Sequence, residues 1–524
     1  MTSVPGETAP DAPATPREMS RRGFLGASTR RLAAGALAVG GFALVGGCDS
    51  GGRARRVTAV PRWVEPGGPV VAAVEAKRVA PGRTVIRRTL HAAPTRVDLG
   101  GRVVQTWSYD GTVPGPLIRA TVGDVLALEL NNDLPEHTTI HWHGIAIRND
   151  MDGVHGVTQP AVLPGGRFEY RFAFDAPGTY WYHSHMGTQL DRGLYGPIVV
   201  DDPTALATAD VEHVLVLDDW IDGFGATPDE IERLLHCDPR CKPSPFIRPF
   251  RSEALGGAAG QIAYPAHLIN GRMVSDRPTL TAPAGARVRL RVINAGAETA
   301  YRFAVGGHRL TVTQSDGYPV EAVEVDTLLV GMGERFDVEF VVGSGAWPVV
   351  AVAEGKDATA AAVLRTTDTD VVTTPGPPPD ARPVELDRQL LQYSQLRAVA
   401  SVRLSARRPD RRFDVSLTGR DSTYRWGIDG DPYGRNGALA VRMGDRARIR
   451  VRNTTNHWHP MHLHGHTFRL GARADGPRKD TVITLPGETH EFDVECNNPG
   501  QWMLHCHNGY HFDAGMAIPF SYLR

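Results

Sequence analysis

The chain has 524 residues, too many for one small domain and suited to roughly two to four. Its 57 basic and 58 acidic residues balance, which gives no ground for a nucleic-acid partner. The 57 Gly and 39 Pro punctuate Val-, Leu- and Thr-bearing runs, a pattern that suits an all-β chain and leaves little room for long helices.

The first element in chain order is an address. Ser20-Arg21-Arg22-Gly23-Phe24-Leu25 is a twin-arginine export pattern, followed by a small-residue apolar run from Leu32 to Gly47. That run is short and Gly/Ala-rich for a membrane-spanning helix. Val45-Gly46-Gly47-Cys48 is similar to a bacterial lipoprotein cleavage box. If it is cleaved there, Cys48 becomes a lipidated first residue and anchors the chain at the cell surface without a span; otherwise the segment is an ordinary signal peptide. Residues 1–48 are thus expected to form the export peptide, and 49–82 a Gly/Pro-rich linker.

The rest of the chain repeats itself. Gly123 to Asn132, Gly285 to Asn294 and Gly444 to Asn453 are the same run of alternating apolar positions, each predicted to be a half-buried strand. Nine residues beyond each Asn the copies diverge: the first reaches His141-Trp142-His143, the second Phe303-Ala304-Val305, the third His462-Leu463-His464. A later landmark behaves alike. Pro177-Gly178 leads to His183-Ser184-His185 and Pro499-Gly500 to His505-Cys506-His507, whereas Gly345 leads to Val350-Ala351-Val352. The outer units are therefore expected to share a metal site and the middle one to act as spacer or wall. The repeat divides the chain into 83–205, 206–374 and 375–524, the last opening on a linker from Pro375 to Pro383.

Within the middle unit, Pro228 to Leu235 has the clearest helical period. The surrounding segment from Asp222 to Tyr264 is either part of a substrate mouth or a surface excursion. Cys237 and Cys241 lie close enough for a local disulfide, with a metal or redox site as the alternative. Cys496 reads as a buried thiol.

His-x-His on a strand puts both imidazoles on one face, roughly 7 Å apart. The four such pairs supply eight imidazoles, which suit copper, zinc, iron or nickel. His505-Cys506-His507 narrows the choice. Alternation sends Cys506 to the opposite face, where His459, His511 and Met516 complete a His₂Cys set with a thioether. That is the donor set of a blue-copper electron-transfer centre. An electron arriving at Cys506 could leave through the backbone to His505 and His507, coupling a one-electron site to a cluster able to reduce dioxygen.

These motifs closely resemble those of the three-domain multicopper oxidases, which include laccases and bacterial metal oxidases. They are His141-Trp142-His143-Gly144, His183-Ser184-His185, the run from His459 to His466, and His505-Cys506-His507 with His511 and Met516. The resemblance spans Val85 to Arg524 and implies three cupredoxin-like Greek-key β-barrel or sandwich domains. It implies four copper ions: type 1 on His459, Cys506, His511 and Met516; type 2 on His141 and His462; a type 3 pair on His143, His183, His185, His464, His505 and His507. Asp152 matches a family acid near the type 2 copper and is expected to relay protons or tune the site. The acid that many bacterial members carry after the last type 1 histidine is replaced by Phe512, with Asp513 following. His466 is expected not to be a ligand, and His137, His155 and His457 to be structural or at the surface.

The expected activity is one-electron oxidation of a reductant coupled to reduction of dioxygen to water. Phenols or aromatic amines are the expected reductants. A metal oxidase for Fe(II), Mn(II) or Cu(I) is the alternative, although the ten Met are scattered and form no Met-rich segment. A copper-binding protein without turnover and a copper-free relative are the remaining classes. The intact Cys506 constellation opposes both.

Overall fold

The computed structural model describes residues 62–79, 82–204, 208–237, 243–368 and 376–524. The export pattern, the apolar run, Cys48 and Cys241 lie outside the described residues.

The repeated run becomes a strand in each copy: Val125–Asn132, Arg287–Asn294 and Arg446–Asn453. Each pairs in parallel with a strand that precedes it in the chain, Val85–Asp98, Val211–Trp220 or Arg411–Arg420. Each pairs antiparallel on its other side with Arg167–Ala173, Arg335–Val341 or Thr489–Glu495. The Asn that closes the run has one job in all three places. Asn132 Nδ2 donates to the carbonyls of Glu136 and Val162, Asn294 Nδ2 to Thr299 and Val330, and Asn453 Nδ2 to His457 and Thr484. Each Oδ1 accepts from the backbone amide two residues on. A fully buried amide thus ties the strand end to the chain that follows and satisfies groups that would otherwise be stranded.

Apart from one two-stranded hairpin, the sheets come in pairs: four and four strands between residues 85 and 201, seven and five between 211 and 366, six and five between 411 and 522. The architecture is all-β, as expected. Apolar side chains of the first and third units belong to one continuous core that includes Trp142, Tyr182, Trp426, Trp502 and Phe520. The middle unit has its own core around Val292, Phe303 and Phe336.

In the first unit His141 pairs across the ladder with His183, and in the third His462 pairs with His505. In the middle unit Phe303 pairs with Ala351, one position beyond the counterpart that the offset from Gly345 predicts. The strand there, Ala346–Ala353, turns directly into Ala358–Thr366. The outer units instead insert long loops after His183 and Cys506, and those loops carry the further histidines.

The predicted helix forms as Pro228–Leu235, with Thr227 and Glu230 in a capping box and Pro228 in the first turn. The excursion around it does not lie free on the surface. Ile231, Leu235, Ile262 and Tyr264 pack in the same core as Tyr424, Trp426 and Tyr510 of the third unit. Cys237 is disulfide-bonded, and Cys496 is a buried free thiol as expected.

Candidate metal centre

Strand pairing brings His141, His143 and His183 to one face of the first unit, and His462 and His505 to one face of the third. The two faces meet. The His141 ring centroid lies 5.7 Å from that of His462, the His143 ring 4.9 Å from His507, and the His185 ring 5.5 Å from His505. All eight imidazoles are buried. Burial, reinforced by the neighbouring rings, pushes His143, His183, His185, His464, His505 and His507 well below the usual imidazole range. Neutral rings are what a cation requires of its donors.

One nitrogen of most of these rings is anchored. His141 Nδ1–H donates to the Asp152 carbonyl at 2.9 Å, His183 Nδ1–H to the Ser184 carbonyl at 2.8 Å, and His505 Nδ1–H to the Cys506 carbonyl at 2.8 Å. His462 Nδ1–H donates to the Asp480 carbonyl at 3.0 Å, and His464 Nδ1–H to Asp152 Oδ2 at 2.9 Å. His143 Nε2–H reaches Asp480 Oδ1 and Thr481 Oγ1, each at 3.1 Å. The opposite nitrogens are left over. His141 Nε2, His143 Nδ1, His183 Nε2, His185 Nε2, His462 Nε2 and His507 Nε2 are buried without a hydrogen-bond partner. Orphaned polar atoms at this density are costly in a folded chain unless something takes their lone pairs. Trios His141/His143/His183, His141/His462/His464 and His185/His464/His505 each bring their donor atoms within 4.8 Å of one another. The donor set fits a cluster of metal ions.

A second group forms on the far side of Cys506. Its Sγ lies 3.5 Å from His459 Nδ1 and 3.9 Å from His511 Nδ1, and those two nitrogens are 3.2 Å apart. His459 Nε2–H is held by Thr455 Oγ1 at 2.8 Å, which fixes the tautomer with Nδ1 turned inward. Burial depresses both imidazoles and raises the Cys506 thiol, so a cation is needed to keep the sulfur as thiolate. Met516 is fully buried, and its carbonyl accepts from the Cys506 amide at 3.0 Å. Trp426 covers this group, its ring 4.2 Å from that of His511.

Asp152 is fully buried between the two outer units, in reach of His464 at 2.9 Å and of His141 at 3.2 Å. Phe512 packs on His185 and His505 at 4.9 and 4.8 Å, so an apolar ring occupies the place of the missing acid. Asp513 turns to Glu232 on the excursion helix, and burial together with that hydrogen bond raises Glu232 to about 9. His466 is satisfied by the His464 carbonyl and the Tyr522 hydroxyl. His457 holds Asp421 at 2.7 Å, and the His137 and His155 rings lie 5.8 Å apart.

Sequence reasoning missed two residues. Asp480 contacts His143 and, at 3.5 Å, His462, and it is paired by both oxygens with Arg335 at 2.7 and 2.8 Å. Burial opposes its charge, but Arg335 and His462 outweigh burial and hold the carboxyl well below its ordinary range. Arg335 comes from the middle unit. Beside it Gly333, at φ +84°, lies so close that a Cβ would sit 2.8 Å from His143 and 3.0 Å from His507. The expected wall therefore touches the cluster itself. Neither residue lies in a repeated motif, and neither stands out as a lone charge: Arg335 opens a strand that also carries Asp337 and Glu339, and Asp480 follows Arg478 and Lys479.

Comparison with known proteins agrees with this geometry. Multicopper oxidase family models match residues 91–205, 250–369 and 407–523. Multicopper oxidase MmcO of Mycobacterium tuberculosis is 44% identical over 522 residues, covering 97% of each chain. A copper resistance protein A homolog of Pseudomonas syringae pv. tomato is 27% identical over 80% of this chain and 90% of its own length. Among solved structures, the laccase of Botrytis aclada superposes with a TM-score of 0.69 at 25% identity, over 85% of this chain and 90% of that one. The chain belongs to the multicopper oxidase family, copper-dependent oxidoreductases of cupredoxin-like domains whose type 1, type 2 and type 3 copper passes electrons from a reductant to dioxygen.

Proposed function

We propose that this oxidase is laccase-like and draws its electrons from phenols or aromatic amines. In this reading His459, Cys506, His511 and Met516 hold the type 1 ion, and His141 and His462 the type 2 ion. His143, His183, His185, His464, His505 and His507 hold the type 3 pair. The inward-facing orphan nitrogens support that assignment. When bound, the copper ions supply one-electron acceptance and the site of dioxygen reduction. The chain's residues do the rest. Asp480 and Thr481 orient His143, and Asp152 orients His464. In this reading Asp152 also relays protons toward the cluster, its Oδ1 lying buried 3.2 Å from His141 Nδ1. Phe512 packs its ring against His185 and His505.

The observation that carries the substrate reading is an open cavity of about 860 Å³ against Trp426, whose ring lies tilted 4.2 Å from that of His511. It is large enough for an aromatic ring. The test is oxygen uptake by copper-loaded protein with a neutral methoxyphenol and with Fe(II), using Cys506→Ser as control. Uptake with the phenol that is lost in the variant is expected; uptake confined to Fe(II) would overturn the reading.

One observation favours the metal-ion alternative. Glu232 hydrogen-bonds Asp513, the last residue of the helix that carries His511, and a divalent cation between the two carboxyls would neutralise them. The name of the copper resistance relative points the same way. Glu232→Gln separates the two, since it should abolish Fe(II) or Cu(I) oxidation and spare the phenol. The twin-arginine pattern and Cys48 support export and lipid anchoring at the cell surface as part of the proposal.

A further inference from the structure

We infer that the cavity beside Trp426 is a site for anionic aromatic reductants, phenols carrying a carboxylate or sulfonate, held by Arg420, Arg425 and Arg435. The inference rests on the aromatic-reductant reading and narrows it.

The three arginines lie on the cavity wall, with Asp431 as the one carboxylate among the lining residues. Three positive charges against one negative leave the wall two charges positive. Among the described residues none of the three makes an ion pair or a side-chain hydrogen bond. Three other arginines of the same unit are matched, Arg446 with Glu495, Arg448 with Asp493 and Arg450 with Asp414, and what sets Arg420, Arg425 and Arg435 apart is that they share one cavity wall. The placement is also unfavourable by itself. Arg420 and Arg425 are direct partners across the strand pair Arg411–Arg420 and Arg425–Ile428. Like charges directly opposite one another destabilise a ladder. A bound anion would turn that repulsion into two charge-assisted hydrogen bonds, which the fork of a guanidinium makes well to a carboxylate or sulfonate.

The same wall leads to the metal centre. Trp426 pairs with Gly419, and a Cβ at Gly419 would stand 2.2 Å from the indole, so only glycine leaves the ring its place. The indole lies 4.2 Å from the His511 ring, and its Nε1 is buried without a partner. Ala514, also on the wall, follows the helix Gly509–Asp513 that carries His511. A ring anchored by its anionic group therefore rests against the residues through which its electron must pass. The donor loses one electron and its phenolic proton to become a phenoxyl radical. Dioxygen, the oxidant of the family's activity, takes up the electrons with matching protons to give water.

The experiment compares syringate with neutral syringol, which share the ring and its methoxy groups, on the copper-loaded full chain. The ratio of their kcat/KM values is measured in wild type and in Arg420→Gln/Arg425→Gln/Arg435→Gln. The ratio is expected to fall about tenfold or more in the triple variant, through the KM of syringate, since a charge-assisted hydrogen bond is worth at least that factor. Added salt should lower the wild-type ratio and leave the variant's ratio unmoved. Calorimetry with trimethoxybenzoate, which has no phenolic proton to lose, reads binding alone and should show the same loss. Arg435→Gln by itself gives a smaller shift of the same sign if the triple variant does not fold. An unchanged ratio with both phenols oxidised would overturn the anion site and leave the aromatic reading standing. Inertness of both phenols alongside Fe(II)-driven uptake would overturn both.

Discussion

His267 of the middle unit feels the burial that keeps the site imidazoles neutral, but it belongs to none of the metal-competent groups among the described residues. Its Nδ1 shares a 2.7 Å hydrogen bond with the Tyr301 hydroxyl, and burial, helped by Lys356, lowers its pKa to about 3. The unfolded imidazole titrates at about 6.5. A depressed folded pKa contributes stability that is complete above the unfolded value and lost as pH falls toward the folded one. His267→Gln should therefore flatten the decline of Tm on acidification from about pH 6.5 toward pH 4, compared with wild type, in a thermal-unfolding series. Parallel declines would show that another group sets the slope. The contrast with the site explains what could be read from residues alone. The ligand histidines stand out because two copies carry them where the third carries Phe303 and Val305. Asp480 and Arg335 have no such counterpart, and their meaning arises only when separate units touch.

At the scale of elements, the Gly-to-Asn run was legible as a strand because its alternation matches one buried face. The clamp made by its last residue was not, since an Asn at a strand end reads equally well as a turn. The three clamps differ in what they hold, and that separates stability from copper binding. Asn294→Ala strands the carbonyls of Thr299 and Val330 and the amide of Gly296. At about 1–3 kcal/mol for each buried unsatisfied group, a loss of about 3 kcal/mol or more is expected in denaturant unfolding, with the type 1 colour intact. Asn453→Ala should cost as much and also bleach the colour. Asn453 Oδ1 accepts from Thr455 Oγ1, and that hydroxyl is what holds His459 Nε2 at 2.8 Å. Equal colour in the two variants would show that the strand itself, and not the clamp, positions His459. The one-residue register difference in the middle unit could not be read from spacing either, because it depends on a tight turn closing where the outer units insert ligand-bearing loops.

At the scale of the whole molecule, the repeat indicated that the outer units enclose the cluster, yet one ion pair joins all three. Arg335 belongs to the middle unit, Asp480 to the third, and the His143 that Asp480 orients to the first. Arg335 also donates to the Thr179 carbonyl of the first unit at 3.0 Å. Such a pair could serve assembly, metal binding or both, and the two roles respond differently to substitution. Arg335→Met alone leaves a carboxylate buried without its cation and should cost about 3–5 kcal/mol. Asp480→Leu alone strands the guanidinium, at a similar cost eased by Asp316 at 3.7 Å. In Arg335→Met/Asp480→Leu no charge is stranded, so most of the stability should return. The ligands do not recover with it. His143 Nε2–H keeps Thr481 Oγ1 at 3.1 Å but loses its carboxylate, and a lost partner of this kind lowers metal affinity about 10–100-fold. The double variant should therefore unfold like wild type, keep the blue absorption of the type 1 centre, and lose copper from the cluster on dialysis against a weak chelator. Full copper retention in a stable double variant would reduce the pair to a joint between units. Loss of the blue absorption as well would mean that the middle unit holds the third unit's fold, and with it His459 and His511, instead of the cluster alone.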